Sequence, residues 1–239
     1  MNDLTIIYYT SNRLPEEVAE RIRDNLMAQL CRLSVMPNII SVSRKPINFS
    51  SNIVMGDNFG VSLYNIYRQI LIGALAARTK YVACCEDDAL YSLSHFRFRP
   101  LDNCFGYDMN KLGVYTWHRN PVYSYKHRAC MWTCIAPRDL MIETLIEKLS
   151  IPDLDKKAKW FAEPGRYDRQ LGVTKRNIEE YRASDPSIVF SHLYALGAEY
   201  LGRRKRTGDN PHYKEEYWGD AKDLVLKYWG QKLWFKEIG

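Results

Sequence analysis

Short apolar runs closed by polar or turn-forming residues set the rhythm of the first part of the chain. They are Leu4-Thr5-Ile6-Ile7-Tyr8-Tyr9-Thr10, then Asn38-Ile39-Ile40-Ser41-Val42-Ser43, then Tyr81-Val82-Ala83-Cys84-Cys85. β-Branched and aromatic residues at this length predict buried strands. After the first run, Ser11-Asn12-Arg13 makes a turn, and Pro15 with Glu16 and Glu17 opens a helix. Proline fits the first helical turn, and acids suit the positive end of the dipole. Val18, Ile22, Leu26 and Leu30 then recur at helical spacing, as a core-facing stripe requires. Residues 44–60, with Pro46, Gly56 and Gly60, read as a loop. Residues 61–77 read as a long helix with Leu63, Ile66, Ile70, Leu71 and Ala74 inward. A β-α-β opening favours a parallel sheet with right-handed crossovers.

Later segments are less regular. Residues 112–116 and 129–136 predict further strands, and Pro137 starts a helix to about residue 149 carrying Leu140, Met141, Leu145 and Leu149. Residues 151–172 read as a polar loop with a short helix, and 187–190 as the last strand. A helical, aromatic tail over 220–235 carries Leu224, Tyr228, Trp229 and Trp234. The expected fold class is α/β: a single domain with a Rossmann-type, mostly parallel sheet flanked by helices.

Composition narrows the setting. With 239 residues, 46% hydrophobic and 26% charged, one globular α/β domain is expected. The longest apolar run, 70–77, is too short to span a bilayer. Asn2-Asp3 stands where a signal peptide needs basic residues, so a cytoplasmic protein is expected. The six cysteines show no disulfide framework. His127, Cys130 and Cys134 would be part of a zinc set without an evident fourth ligand, so small core residues are the expectation. The net charge of +6 is modest, and much of the local excess lies at Arg203-Arg204-Lys205-Arg206. Such a run attracts a polyanion or a nucleotide diphosphate, or is a solvated basic turn.

The strongest chemical signal is Glu86-Asp87-Asp88, closing the third strand. Three adjacent carboxylates repel one another unless a cation neutralises them. Oxygen ligands of this kind suit Mg²⁺ or Mn²⁺ bridged to phosphates. A solvated acidic turn is the simpler alternative. On open α/β sheets, ligands gather at the carboxyl ends of strands, which places residues 10–13 and 86–88 on one edge.

The order of parts, with Asn58-Phe59-Gly60, a long helix and then a strand ending in Glu86-Asp87-Asp88, resembles the nucleotide-binding half of family-2-like GT-A glycosyltransferases. In that family a short acidic "DXD" motif closes the corresponding strand. The resemblance covers roughly residues 3–95 and implies a nucleotide-sugar half over 1–100 and an acceptor half over 101–239, ending in the tail from 220. It implies a metal-dependent glycosyltransferase with Mn²⁺ or Mg²⁺ on Asp88 and Glu86, and with His192 as a late histidine ligand. The nucleoside-diphosphate sugar would be held by Thr10, Ser11, Asn12, Arg13, Asp57, Asn58 and Asp87. Arg203, Arg204 and Lys205 would close over it from the C-terminal side.

The family's catalytic base corresponds to Asp168 or Glu163, which stand five residues apart here rather than adjacent. Asp168 is preferred because it comes just before Leu171; a helix cap is the alternative role for either acid. Some viral enzymes of this broad kind glycosylate hydroxymethylated bases in DNA, and the basic excess and many aromatics fit such an acceptor. Trp117, Tyr125 and Trp132 are the candidate stacking residues. Two alternatives remain. A nucleotidyltransferase of similar fold would be expected to show a Gly-rich turn after the first strand, and Tyr8-Tyr9-Thr10-Ser11-Asn12 has no glycine. A non-catalytic nucleic-acid-binding module leaves the strand-end carboxylates without a purpose.

Overall fold

The computed structural model describes residues 2–153, 163–195 and 209–233. Strand β1 (Leu4–Thr10) is buried along its whole length, as an apolar run covered on both faces must be. Helix α1 (Glu16–Leu30) turns Val18, Ile22, Leu26 and Leu30 inward. β2 (Asn38–Ser43) pairs in parallel with β1, and the short β3 (Ser51–Val54) pairs in parallel with β2. Helix α2 (Leu63–Ala76) then returns the chain to β4 (Tyr81–Glu86), parallel to β1 on its other side.

The second part of the chain completes the same sheet. Its elements are β5 (Ala89–Leu90), β6 (Cys104–Asp108), β7 (Lys111–Tyr115), β8 (Tyr123–Tyr125), β9 (Cys134–Pro137) and α3 (Arg138–Leu149). After them come α4 (Asp168–Leu171), β10 (Asn177–Tyr181), β11 (Ser187–Ser191), β12 (Asp209–His212) and α5 (Ala221–Leu233). The seven-stranded sheet runs β10-β6-β9-β4-β1-β2-β3. Within it β9 is antiparallel to both neighbours and the other pairings are parallel. A second sheet, β12-β8-β7-β11-β5, stands beside the end of β4. The expected class is therefore observed: α/β, mostly parallel, flanked by helices.

Alternation along β1 divides the core. Ile7 and Tyr9 pack with Tyr67 and Ile70 of α2 and Leu145 of α3, while Ile6 and Tyr8 pack with Leu26 of α1 and with Tyr91 and Phe96. Gly73 lets α2 lie close on β1, since a Cβ there would meet Ile7 Cγ2 at 2.5 Å. A third cluster joins α1 to β11 and to Leu224, Tyr228 and Trp229 of α5, so the aromatic tail is core as far as it is described.

Three expectations need correction. Residues 44–60 hold β3 and a 3-10 turn at Asp57–Phe59, not only loop. Much of 129–136 is a turn that leads into the short β9. Residues 187–191 form a strand but not the last, since β12 follows. Among the described residues, no helix is long and apolar enough to cross a membrane. Cys84, Cys85, Cys104, Cys130 and Cys134 are buried and unbridged, as small core residues would be.

Candidate active site

Parallel pairing aligns the ends of β1 and β4: Tyr9 lies opposite Glu86, so the next residues of both strands emerge together. A pocket of about 280 Å³ opens there. Thr10, Ser11 and Arg13 line it from the β1 turn, and Glu86, Asp87 and Asp88 from the β4 turn. The far wall comes from Phe59, Gly60 and the start of α2, and from Ser191, His192 and Tyr194 after β11. Gln69 of α2 holds the mouth open. Its amide donates to the carbonyls of Thr10 (2.7 Å) and Val42 (3.2 Å), bridging the ends of β1 and β2.

Each carboxylate has a different neighbour. Glu86 Oε1 accepts the Tyr9 hydroxyl at 2.7 Å. Asp87 accepts the Thr10 hydroxyl. Asp88 Oδ2 lies 3.1 Å from His192 Nε2, and its backbone carbonyl accepts the Phe190 amide at 2.9 Å. Asp88 Oδ1 is buried without a partner. The buried acids repel one another, and their pKa values respond. Burial and then the charge of Asp88 push the Glu86 carboxyl up to about 8, against the Tyr9 hydrogen bond. Burial and Asp88 likewise push Asp87 up to about 6, although the Thr10 hydroxyl stabilises its anion.

These features test the fit of a divalent ion. An unpartnered oxygen among mutually repelling carboxylates is a donor set for Mg²⁺ or Mn²⁺. Among the described residues, no three His, Cys, Asp or Glu side chains converge as a complete protein cage. Mg²⁺ commonly needs none, since one or two carboxylates suffice when substrate phosphates supply the rest.

Histidine 192, the expected late metal ligand, lies on the pocket wall with both ring nitrogens hydrogen-bonded. The backbone amide of Tyr194 donates to His192 Nδ1 at 3.1 Å, so in the neutral ring the proton sits on Nε2. That nitrogen faces Asp88 as a donor.

Asp168, the preferred base, is 2% exposed, and neither it nor Glu163 lines the pocket. Its Oδ1 pairs with the buried Lys148 Nζ at 2.9 Å, and its Oδ2 accepts the Gly165 and Arg176 amides, both at 2.9 Å. A carboxylate so saturated staples a loop to α3. Glu163 differs. Its Oε2 is buried without a hydrogen-bond partner, 3.9 Å from Arg166 Nη1, and its charge adds to the upward push on Glu86.

The donor set splits in the same way. Asn12, at φ 54°, ties loops together: its amide donates to Thr10 Oγ1 (2.9 Å) and its Oδ1 accepts the Lys45 amide (2.8 Å). Asp57 and Asn58 lie off the pocket wall. Asp57 instead pairs with Arg44 at 3.3 Å, and Arg44 does line the pocket. The sequence offered no signal for Arg44 until β3 was seen to place residues 44–60 beside the site. Arg203, Arg204 and Lys205 lie outside the described residues. Of the expected acceptor residues, Trp132 is buried against Tyr91 in the core. Tyr125 packs with His127 and His212 on the second sheet. Trp117 is half-buried and follows β7, whose end pairs with that of β11 at Tyr115 and Ser191, one strand from the pocket.

No protein-family model and no curated protein matches this sequence. Solved structures do show similar chain traces. TarS residues 1–349 from S. aureus is similar at 10% identity, covering 95% of this chain and 70% of that one, with a TM-score of 0.49. A nucleotidyl transferase from Methanothermobacter thermautotroptrophicus has 14% identity, covers 77% and 88%, and has a TM-score of 0.43. A CMP:2-keto-3-deoxy-manno-octonic acid synthetase complexed with CTP has 10% identity, covers 75% and 89%, and has a TM-score of 0.43. At these values none of the three assigns a reaction to this chain.

Proposed function

We propose that this protein is a metal-dependent glycosyltransferase that moves a sugar from a nucleoside-diphosphate donor to an acceptor hydroxyl. The observation that carries this reading is the acidic pocket itself. Glu86, Asp87 and Asp88 share one wall with the β1 turn, and a buried oxygen of Asp88 is left without a partner. Mn²⁺ or Mg²⁺ would be held by Asp88, backed by Glu86 or Asp87. When bound, such an ion neutralises charge growing on the departing diphosphate.

The protein's own groups supply the remainder. Thr10, Ser11 and Arg13 cradle the donor, and Arg44, steadied by Asp57, adds a second cation to the wall. Glu163 replaces Asp168 as the base. Its unpartnered oxygen takes the proton of the acceptor hydroxyl as the sugar–oxygen bond forms. A hydroxymethylated base in DNA is the acceptor to test first, with Trp117 offering a stacking face beside the pocket.

A nucleotidyltransferase remains the second reading, because Arg13 and Arg44 on the pocket wall would serve a triphosphate equally well. The products separate the two. Glycosyl transfer releases a nucleoside diphosphate, whereas nucleotidyl transfer releases pyrophosphate. Calorimetric titration of nucleoside diphosphates in Mn²⁺ tests the pocket. Asp88→Ala should weaken binding about 100-fold, within the usual cost of disturbing a metal site. Wild-type affinity in that variant would remove the assignment.

A further inference from the structure

Every hydrogen-bonding atom of the His192 ring is committed. Nδ1 receives the Tyr194 amide at 3.1 Å, and a backbone amide can only donate. Nε2 therefore carries the proton and directs it at Asp88 Oδ2, 3.1 Å away. The ring is 3% exposed and packs against Trp229 of α5 in a tilted contact, with centroids 5.1 Å apart at 37°. Rotating it to offer a lone pair would break the Tyr194 contact and disturb that packing.

Asp88 shows the complementary division. One oxygen is occupied by His192, the other is unpartnered, and the backbone is tied to Phe190 at the end of β11. β11 and the residue after it thus grip Asp88 twice, and the side-chain grip from His192 selects which oxygen stays available.

We infer that His192 is a positioning residue rather than a metal ligand: it donates Nε2–H to Asp88 Oδ2 and thereby aims Oδ1 at the cation. The inference rests on the metal-dependent reading above. It also makes the C-terminal helix part of the site's construction, because Trp229 fixes the imidazole plane.

The test is electron-spin-echo spectroscopy of Mn²⁺ bound to the full chain with UDP, CDP or GDP as probe. It is joined with Mn²⁺ affinities for His192→Gln and His192→Ala. A coordinated imidazole gives a ¹⁴N coupling on Mn²⁺; a positioning imidazole does not. The expected result is no such coupling in the wild-type protein. His192→Ala should weaken Mn²⁺ binding about 10- to 100-fold, the usual cost of losing an outer partner. Glutamine, whose amide nitrogen reaches the place of Nε2, should restore most of it. An imidazole coupling in the wild type overturns the inference while leaving the metal site intact, as does a glutamine variant no better than alanine. A wild-type protein that takes up no Mn²⁺ with any of the three nucleotides overturns the metal reading itself, and the inference with it.

Discussion

At the end of β4, three neighbouring carboxylates line one pocket, and among the described residues their side-chain hydrogen-bond partners are two hydroxyls and a histidine. Beyond the pocket wall, Asp168 meets the buried Lys148 at 2.9 Å and gathers two backbone amides. Both are acids embedded in protein, yet their surroundings lead in opposite directions. The β4 cluster keeps unspent capacity for a cation, which suits binding but sets its buried acids against one another. Asp168 has spent its hydrogen-bonding capacity on structure, where it holds a loop. Partner count separates them better than sequence position does.

The largest effect should come from exchanging the base assignments. Glu163→Gln removes proton-accepting ability with little change of shape. It should lower turnover about 10²- to 10⁴-fold while donor affinity measured by calorimetry stays near wild type. Unchanged turnover would end the case for Glu163. Next is the stability of the saturated acid. Asp168→Ala leaves Lys148 buried and unpaired, and urea unfolding should show a loss of about 3–5 kcal/mol. The double change Lys148→Met with Asp168→Leu should recover much of that, since a buried pair replaced by apolar groups is often close to neutral. If the single variant is as stable as wild type, the staple is wrong.

A smaller effect should appear with pH. Glu86 and Asp87 hold their protons up to about pH 8 and 6 in the folded protein, against ordinary values of 4.5 and 3.8. The folded state then binds more protons than the unfolded chain, so stability is fully present below about pH 4 and declines as pH rises to about 8. Thermal melts without divalent ions should show Tm falling across that window. Glu86→Gln should flatten the slope, and Mn²⁺ should restore stability most at the alkaline end. A Tm that rises with pH over this range would contradict the strain assigned to the cluster.

The parts legible in the sequence were those with a strong hydrophobic period. β1 and β2 were read at their observed limits, and α2 and α3 within about two residues, because buried faces impose a repeat. β3 and β10 were missed because they are sheet edges. Ser51–Val54 and Asn177–Tyr181 have no fully buried residue, so their composition reads as loop. The acidic pocket was visible because a strand ending in three carboxylates is chemically unusual. The roles of Asp168 and His192 were not. Both depend on a partner far along the chain or on a single backbone amide, and neither leaves a spacing in the sequence. Arg44 was hidden for the same reason, since it enters the pocket only once β3 has folded the loop back.

The reversed strand β9 has a consequence for how the protein is made. β4, which carries the acidic residues, is paired on one side by β1 and on the other by residues 134–137. As the polypeptide leaves the ribosome, β1, β2, β3 and α2 can assemble early, but the far edge of β4 stays open until some fifty more residues have been made. An apolar strand with unmatched amides is a site for pairing with other nascent chains. Vectorial synthesis therefore exposes its most hazardous edge just where the functional carboxylates begin, and closure waits on β9 arriving from downstream.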